Sequence, residues 1–307
     1  MSDIYDVAIV GSGPAGLTAG LYTSRAGLNT ILFAGAKWGG QLMLTTEVEN
    51  YPGFPEGIMG PELMEKVRKQ AERFGTKIVD ENVHEIDFSK RPFTLGGIQA
   101  KSVIVATGAR TKWLDLPNEQ KLIGRGVSSC APCDAPFFKN KRVVVIGGGD
   151  SAAEEALVLT KFASEVNIVL RRDIFRASQI MQDRLLANPK VKITKNAEVI
   201  DVLGEEKVTG LKFRNTSTQE EFVMETDGLF VAIGHIPDCD LFKKYINTDD
   251  SGYIVRTPTD RYKSATSLRG VFTAGDVHDN HYRQAVTAAG YGCEAALEAE
   301  RWLTENE

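Results

Sequence analysis

One kind of segment occurs twice in this sequence, and it limits the folds that the chain can adopt. An apolar run at residues 6–10 ends in a Gly-x-Gly-x-x-Gly turn and continues with helical spacing to about residue 26. A second apolar run, at residues 142–146, ends in a similar turn and again continues as a predicted helix. Another apolar run follows each helix. Strand, glycine turn, helix and strand in this order predict a Rossmann-like unit, so the sequence predicts two of them.

The glycines of both turns are predicted to bind the pyrophosphate of a dinucleotide. In such a turn the first glycine permits the tight strand exit, the second lets the backbone approach the pyrophosphate, and the third allows close packing of helix and strand. The free N–H groups at the helix start then face the phosphates. The positions that fit are Gly11, Gly13 and Gly16 in the first turn and Gly147, Gly149 and Ala152 in the second. Two ligand-free glycine turns are the alternative, which the repeated context disfavours.

The residues after the second strand of each unit indicate which nucleotide binds. Sites for NAD usually carry an acid there, whereas arginines suit the 2′-phosphate of NADPH. In the second unit Leu170 is followed by Arg171, Arg172 and Arg176, which favours NADPH. A solvated basic loop is the alternative. The matching stretch of the first unit, residues 32–35, has neither acid nor base, so the sequence leaves the adenosine ribose contact there unexplained.

The chain has four cysteines, of which Cys130 and Cys133 form a close pair. A two-residue spacer allows both sulfurs to form one disulfide, which points to redox chemistry. Zinc is the rival explanation, but no second cysteine pair or suitable histidine couple would complete such a site. Asp134 follows the pair directly and is either a proton donor or an ordinary loop cap. Cys239 and Cys293 are isolated and are interpreted as packing residues.

Length and composition set the broader class. The 307 residues suggest two domains, and 42% hydrophobic with 25% charged residues is typical of a globular protein. The net charge of -5 and the absence of a polybasic tract disfavour nucleic-acid and membrane partners. The acidic N-terminus, residues 1–6, lacks the features of a secretory signal, and no apolar run approaches ~18 residues. A cytoplasmic location is therefore expected.

The predicted fold class is α/β, with two Rossmann-like dinucleotide-binding domains, the second inserted into the first. The second domain is predicted at residues 114–241, and the chain then returns to the first domain, residues 1–113 and 242–307. Apolar strands also end at Thr107-Gly108, Gly234 and Gly275-Asp276, where they would deliver loops to a ligand.

Motifs along the whole chain resemble those of the low-molecular-weight thioredoxin reductases. Besides the features above, the matching segments are Gly39-Gly40-Gln41-Leu42, residues 47–53, Ala106-Thr107-Gly108, Gly275-Asp276-Val277 and Tyr282-Arg283-Gln284-Ala285. The resemblance implies an FAD domain built from both ends of the chain and an inserted NADPH domain that carries the cysteines. It also implies a homodimer that reduces thioredoxin.

The resemblance further implies a role for individual residues. Cys130 would attack the partner disulfide, Cys133 would lie against the flavin, and Asp134 would be the acid. The positions expected around FAD are Gly11, Ser12, Gly13, Pro14, Ala15, Gly16, Gly40, Gln41, Asn50, Thr107, Gly108, Gly275, Asp276, Arg283, Gln284 and Ala285. Those expected around NADPH are Gly147, Gly149, Asp150, Ser151, Ala152, Arg171, Arg172, Arg176 and Gly234.

Two departures and two alternatives accompany this interpretation. Many family members have histidine where this chain has Leu170, and Ala-Thr is commoner than Ala131-Pro132 between the cysteines. Neither change removes a charged or redox group. The alternatives are a related reductase with another donor, such as ferredoxin or a deazaflavin, or another dithiol substrate, and a flavin-binding redox sensor. Since nicotinamide and cysteines must each reach the flavin, rotation of the inserted domain is also predicted.

Overall fold

The computed structural model describes residues 4–306, so residues 1–3 of the acidic N-terminus and Glu307 lie outside the described residues. The strands are β1 (Tyr5–Val10), β2 (Thr30–Phe33), β3 (Glu47–Val48), β4 (Ile58–Met59), β5 (Lys77–Val79), β6 (Ile86–Asp87), β7 (Phe93–Leu95), β8 (Ile98–Val105), β9 (Ala109–Thr111), β10 (Val127–Ser128), β11 (Arg142–Ile146), β12 (Glu165–Val169), β13 (Val191–Thr194), β14 (Ala197–Leu203), β15 (Gly210–Asn215), β16 (Glu221–Glu225), β17 (Gly228–Val231), β18 (His235–Pro237) and β19 (Val271–Thr273). The α-helices are α1 (Pro14–Arg25), α2 (Gly60–Arg73), α3 (Pro117–Lys121), α4 (Ala131–Asp134), α5 (Asp150–Leu159), α6 (Gln179–Leu186) and α7 (Ala285–Asn306). Short 3₁₀ helices span Gly40–Leu44 and Ala135–Phe138.

The chain folds into two compact units, and the second is a continuous insertion in the first. The inserted unit is Thr111–His235, and the first unit consists of the chain before and after it. The predicted limits of 114 and 241 therefore need correction. Residues 236–241 belong to the first unit because Cys239, Phe242 and Ile246 are buried in its core.

The first unit is built on a largely parallel seven-stranded sheet. Strand β1 lies between β2 and β8, and β5 and β19 extend the parallel part on either side. Alternate residues of β1 face opposite sides, as the period of a strand requires. Val7 and Ile9 join a core with α1 and α7, whereas Ala8 and Val10 join a core on the other face.

The inserted unit repeats this arrangement with a parallel five-stranded sheet, in the order β10-β17-β11-β12-β13. Strand β11 lies between β12 and β17, as β1 lies between β2 and β8. Val143 and Val145 pack on the side of α5, whereas Val144 and Ile146 pack towards an antiparallel sheet of β14, β15 and β16. In both units the glycine turn thus leaves the carboxyl end of a central strand, where open α/β sheets bind ligands.

Helices α1 and α5 begin earlier than the sequence pattern indicates. Pro14 and Asp150 are their first residues, directly after Gly13 and Gly149. Proline suits a first helical turn because the missing N–H would have no helical partner there. Among residues 4–306, none of the helices is long and apolar enough to cross a membrane.

Candidate functional site

The first glycine turn is shaped by packing at two positions and by open space at the third. Gly11 has φ +112°, and a Cβ there would collide with the carbonyl oxygen of Ala106 on β8's exit. A Cβ on Gly16 would collide with the carbonyl oxygen of Gly11, so these two glycines let α1 approach the sheet. A Cβ on Gly13 would have no atom within 4 Å. The Gly13 backbone therefore faces open space at the start of α1, where a pyrophosphate fits.

The other residues of this turn have internal contacts. The Ser12 hydroxyl donates to Ala34 O at 2.7 Å and accepts the Gly39 N–H at 2.9 Å. It therefore connects the turn to the segment that starts at Gly40, whose Cβ, if present, would lie 3.2 Å from Gly13 Cα. Ala15 is buried against Gly275, in front of α7. Ser12 thus shapes this turn through hydrogen bonds and Ala15 through packing.

The predicted flavin-facing residues come from distant parts of the chain. Asn50 Nδ2 lies 3.4 Å from Gln284 Oε1, although 234 residues separate them. Gln41 and Asn50 are exposed, and Ala285 is the first residue of α7. Thr107 donates its hydroxyl to Asp238 O, and Gly108 O accepts the Asp238 N–H at 2.9 Å.

Two aspartates after β19 have different roles. Burial, assisted by the nearby charge of Asp279, raises the pKa of Asp276 to about 6. Among the described residues the Asp276 carboxylate has no hydrogen bond, so a ligand with hydroxyl donors would satisfy it. Asp279 instead accepts the N–H groups of His281, Tyr282 and Arg283 at 2.8–3.0 Å. These bonds hold the loop in which Arg283 takes a left-handed φ of +49°.

The second glycine turn opens onto a cavity of about 650 Å³. A Cβ on Gly147 would collide with Ala232 O, whereas one on Gly149 would have no atom within 4 Å, as at Gly13. Besides the turn, the cavity is lined by apolar side chains, one carboxylate and three arginines: Leu114, Ile146, Val169, Leu170, Ile174, Ala197, Val199, Ile233, Glu198, Arg171, Arg172 and Arg176.

The arginine loop is fixed by its backbone, while its side chains line the cavity. The Arg176 N–H donates to Gly148 O at 2.7 Å, and Arg171 O accepts the Thr216 hydroxyl at 3.0 Å. Asp173 pairs with Lys195 at 2.9 Å. Within residues 4–306 none of the three arginines forms an ion pair, so their charges remain available to a phosphate.

The remaining predicted nucleotide contacts lie close to this cavity or support it. Asp150 accepts the Ser178 N–H at 2.8 Å, a bond that also lowers the pKa of Asp150. Ser151 is exposed, and Ala152 is buried beneath Gly147. Gly234 accepts the Lys112 N–H at 3.0 Å. Asp150 thus positions the start of α6.

Cys130 and Cys133 form a disulfide at the short helix α4. Their Cα atoms are 5.3 Å apart, and Cys130 O accepts the N–H groups of Cys133 and Asp134 at 3.2 and 3.0 Å. Both cysteines are half-buried. The disulfide is the oxidised form of a dithiol, which agrees with the redox interpretation of the pair. No group of three or more potential metal ligands is found among the described residues.

Asp134 lies beside this disulfide in a protected environment. Burial raises the pKa of its carboxyl, whereas a hydrogen bond from the Ser128 hydroxyl opposes that rise. The same hydroxyl accepts the Cys130 N–H at 3.0 Å. Ser128 therefore connects the carboxyl of Asp134 to the backbone of Cys130.

Sequence reasoning missed Ser128, Glu155 and Asp279. The Glu155 carboxylate on α5 accepts the Ala131 N–H, within the cysteine motif. A serine two residues before the motif is a local signal that could have been noticed. Glu155 and Asp279 act on backbone groups that no sequence pattern identifies.

Comparison with known proteins places this geometry in a family. Residues 5–292 match the family model described as pyridine nucleotide-disulphide oxidoreductase. A thioredoxin reductase of Streptomyces clavuligerus is 52% identical, covering 99% of this chain and 95% of the relative. NADPH-dependent thioredoxin reductase 3 of Arabidopsis thaliana is 50% identical over 99% of this chain, which spans 59% of that protein.

A solved structure agrees. Thioredoxin reductase from Giardia duodenalis has a TM-score of 0.92 and 42% identity, with 98% of this chain and 99% of that chain covered. The resemblance seen in the sequence motifs is thus confirmed over nearly the full length. This chain belongs to the pyridine nucleotide-disulphide oxidoreductase family and, within it, to the thioredoxin reductases.

Proposed function

We propose that this protein transfers electrons from NADPH, by way of FAD, to the Cys130–Cys133 disulfide and from there to thioredoxin. As a member of its family it is an oxidoreductase that uses FAD and NADPH. The observation that carries the proposal is that one unit contains both the disulfide and a cavity lined by three arginines.

The residues present suit both cofactors. Gly13 and Asp276 would hold the pyrophosphate and a hydroxyl-bearing part of FAD, while Gly149 and the arginines would hold the pyrophosphate and 2′-phosphate of NADPH. When bound, FAD would supply the redox chemistry that links two-electron oxidation of NADPH to reduction of the disulfide.

The cysteines then carry out thiol–disulfide exchange. Cys130 Sγ attacks one sulfur of the partner disulfide, which forms a mixed disulfide and releases the partner's other sulfur. Cys133 Sγ next attacks Cys130 Sγ, which restores the internal disulfide and frees the partner as a dithiol. Asp134 supplies a proton to a departing thiolate. Two electrons and two protons reach the partner in each cycle.

Anaerobic mixing of the purified yellow protein with NADPH, then with oxidised thioredoxin, tests this path. We expect NADPH to bleach the flavin absorbance faster than NADH, and thioredoxin to restore it. If another electron donor bleached the flavin absorbance and NADPH did not, NADPH would not be the donor of this protein. Bleaching without reoxidation by thioredoxin would instead indicate a different dithiol substrate or a sensor.

The raised pKa of Asp134 predicts a pH dependence. As a proton donor Asp134 acts in its protonated form, so turnover with thioredoxin should fall as pH rises through the raised pKa. Asp134→Asn should lower turnover roughly 10- to 100-fold and abolish this limb. Ser128→Ala removes the hydrogen bond that opposes the rise in the pKa of Asp134, so the fall in turnover should occur at a higher pH. Steady-state rates of thioredoxin reduction over a pH series measure all three effects. If turnover in Ser128→Ala fell at the same pH as in the wild-type protein, the assignment of Asp134 as the proton donor would be contradicted.

The two open glycine positions allow a reciprocal test of cofactor placement. Gly13→Ala should fold, since its Cβ meets no protein atom, but should bind FAD at least roughly tenfold more weakly. Gly149→Ala should retain FAD and lose NADPH affinity to a similar extent. The ratio of flavin to protein absorbance and NADPH titration measure the two effects. Loss of the same cofactor in both variants would disprove the placement.

We also propose that the protein is a cytoplasmic homodimer. A reducing compartment suits the free thiols of Cys239 and Cys293. The family resemblance implies the dimer, and Val286 and Leu297, 44% and 47% exposed, share one face of α7. Leu297→Glu should give a monomer in analytical ultracentrifugation, whereas Leu186→Glu, at an even more exposed leucine on α6, should not. A wild-type monomer at micromolar concentration would overturn this proposal.

A further inference from the structure

The backbone N–H groups around the cysteine pair are all occupied or absent. The Cys133 and Asp134 N–H groups donate to Cys130 O, and the Ala131 N–H donates to the Glu155 carboxylate. Pro132 has no N–H. In many Cys-x-x-Cys motifs such N–H groups stabilise the thiolate of the first cysteine. In this turn each of them already has an acceptor.

Glu155 also brings a carboxylate to the residue next to Cys130. Two carboxyl groups lie at this turn, that of Glu155 on α5 and that of Asp134 on α4, whereas Glu154 of α5 is exposed. A negative charge close to a sulfur disfavours its thiolate. Redox proteins whose reduced form is stabilised are oxidants. A less stable thiolate destabilises the reduced form and therefore makes the dithiol a stronger reductant.

We propose that Glu155 is a positioning residue that keeps the Cys130–Cys133 couple reducing, by occupying the Ala131 N–H and placing a carboxylate beside Cys130. Pro132 acts in the same direction because it removes a second donor. Reduction of the couple breaks the S–S bond and takes up two electrons from NADPH by way of FAD, with two protons for the thiols. Thioredoxin, as the oxidant, receives both. The inference rests on the proposed function, in which the dithiol must reduce a partner.

The test measures the thiol–disulfide equilibrium of the holoenzyme in dithiothreitol redox buffers, with quenched cysteines quantified by alkylation and mass spectrometry. Above the ordinary thiol pKa, at about pH 9.5, Glu155→Gln should shift the equilibrium towards the dithiol by roughly tenfold, which is about 30 mV for two electrons. At about pH 6.5, where thiols are protonated, the shift should be small. In Glu155→Gln the pH midpoint of the reaction between reduced Cys130 and iodoacetamide should be lower than in the wild-type protein.

Two further variants make the outcome specific. Glu154→Gln removes the same charge from the adjacent exposed residue and should leave the equilibrium unchanged. Pro132→Ala adds an N–H donor and should shift the equilibrium in the same direction as Glu155→Gln. A wild-type equilibrium in Glu155→Gln at both pH values, or an equal shift at both, would overturn the proposal. Because these measurements need neither thioredoxin nor NADPH, they remain valid if the proposed function fails.

Discussion

Cys130→Ser is expected to lose thioredoxin reduction by roughly three orders of magnitude or more, while NADPH still bleaches its flavin absorbance. Serine cannot form the mixed disulfide, and its hydroxyl is not ionised near neutral pH, so the exchange step has no nucleophile. The arginine-lined cavity and the first glycine turn do not include Cys130 and should be unaffected. Steady-state assays with thioredoxin and stopped-flow absorbance with NADPH separate the two half-reactions.

Cys293→Ser is the matched control for this variant. Cys293 is a half-buried free thiol on α7, outside the disulfide, so its loss should leave turnover within about twofold. If Cys130→Ser retained most of its thioredoxin turnover, the assignment of Cys130 as the attacking sulfur would be wrong. If it also lost flavin reduction, the variant would have disturbed more than the exchange step.

The second large effect is expected in nucleotide preference. Replacing Arg171 and Arg172 together by alanine should raise the KM for NADPH roughly 100-fold or more, because each charge-assisted contact to phosphate is worth about 1.5–3 kcal/mol and two of them are lost. NADH has no 2′-phosphate and should be used about as well as before. The preference for NADPH should therefore largely disappear. Rates of flavin reduction with each nucleotide provide the measurement.

Arg184→Ala supplies the control, since Arg184 is exposed on α6 in the same unit but does not line the cavity. It should leave both KM values unchanged. The salt dependence of NADPH binding should also weaken in the double variant, because fewer charges meet the phosphate. An equal rise in the KM for NADPH and NADH would show that the arginines do not contact the 2′-phosphate. It would favour the alternative in which they form a solvated basic loop.

Much of the fold could be predicted because it depends on short segments. The central strands β1 and β11 are continuous apolar runs, as expected of parallel strands that are buried on both faces. The antiparallel sheet β14–β16 was not predicted, since its half-buried strands lack a continuous apolar run. The boundary at residue 235 was missed because Cys239 and Phe242 reveal their unit only through packing.

The candidate site likewise contains features that short segments determine and features that depend on tertiary packing. The glycine positions, the cysteine spacing and the arginine cluster were apparent in the sequence, because sterics and covalent geometry over a few residues determine what those patterns can do. Only the tertiary structure brought Asn50 to Gln284, buried the carboxyls of Asp134 and Asp276, and placed Glu155 on the Ala131 N–H. These features depend on segments far apart in the chain, whose packing determines both distance and solvent exclusion, and with them the protonation of the groups they enclose.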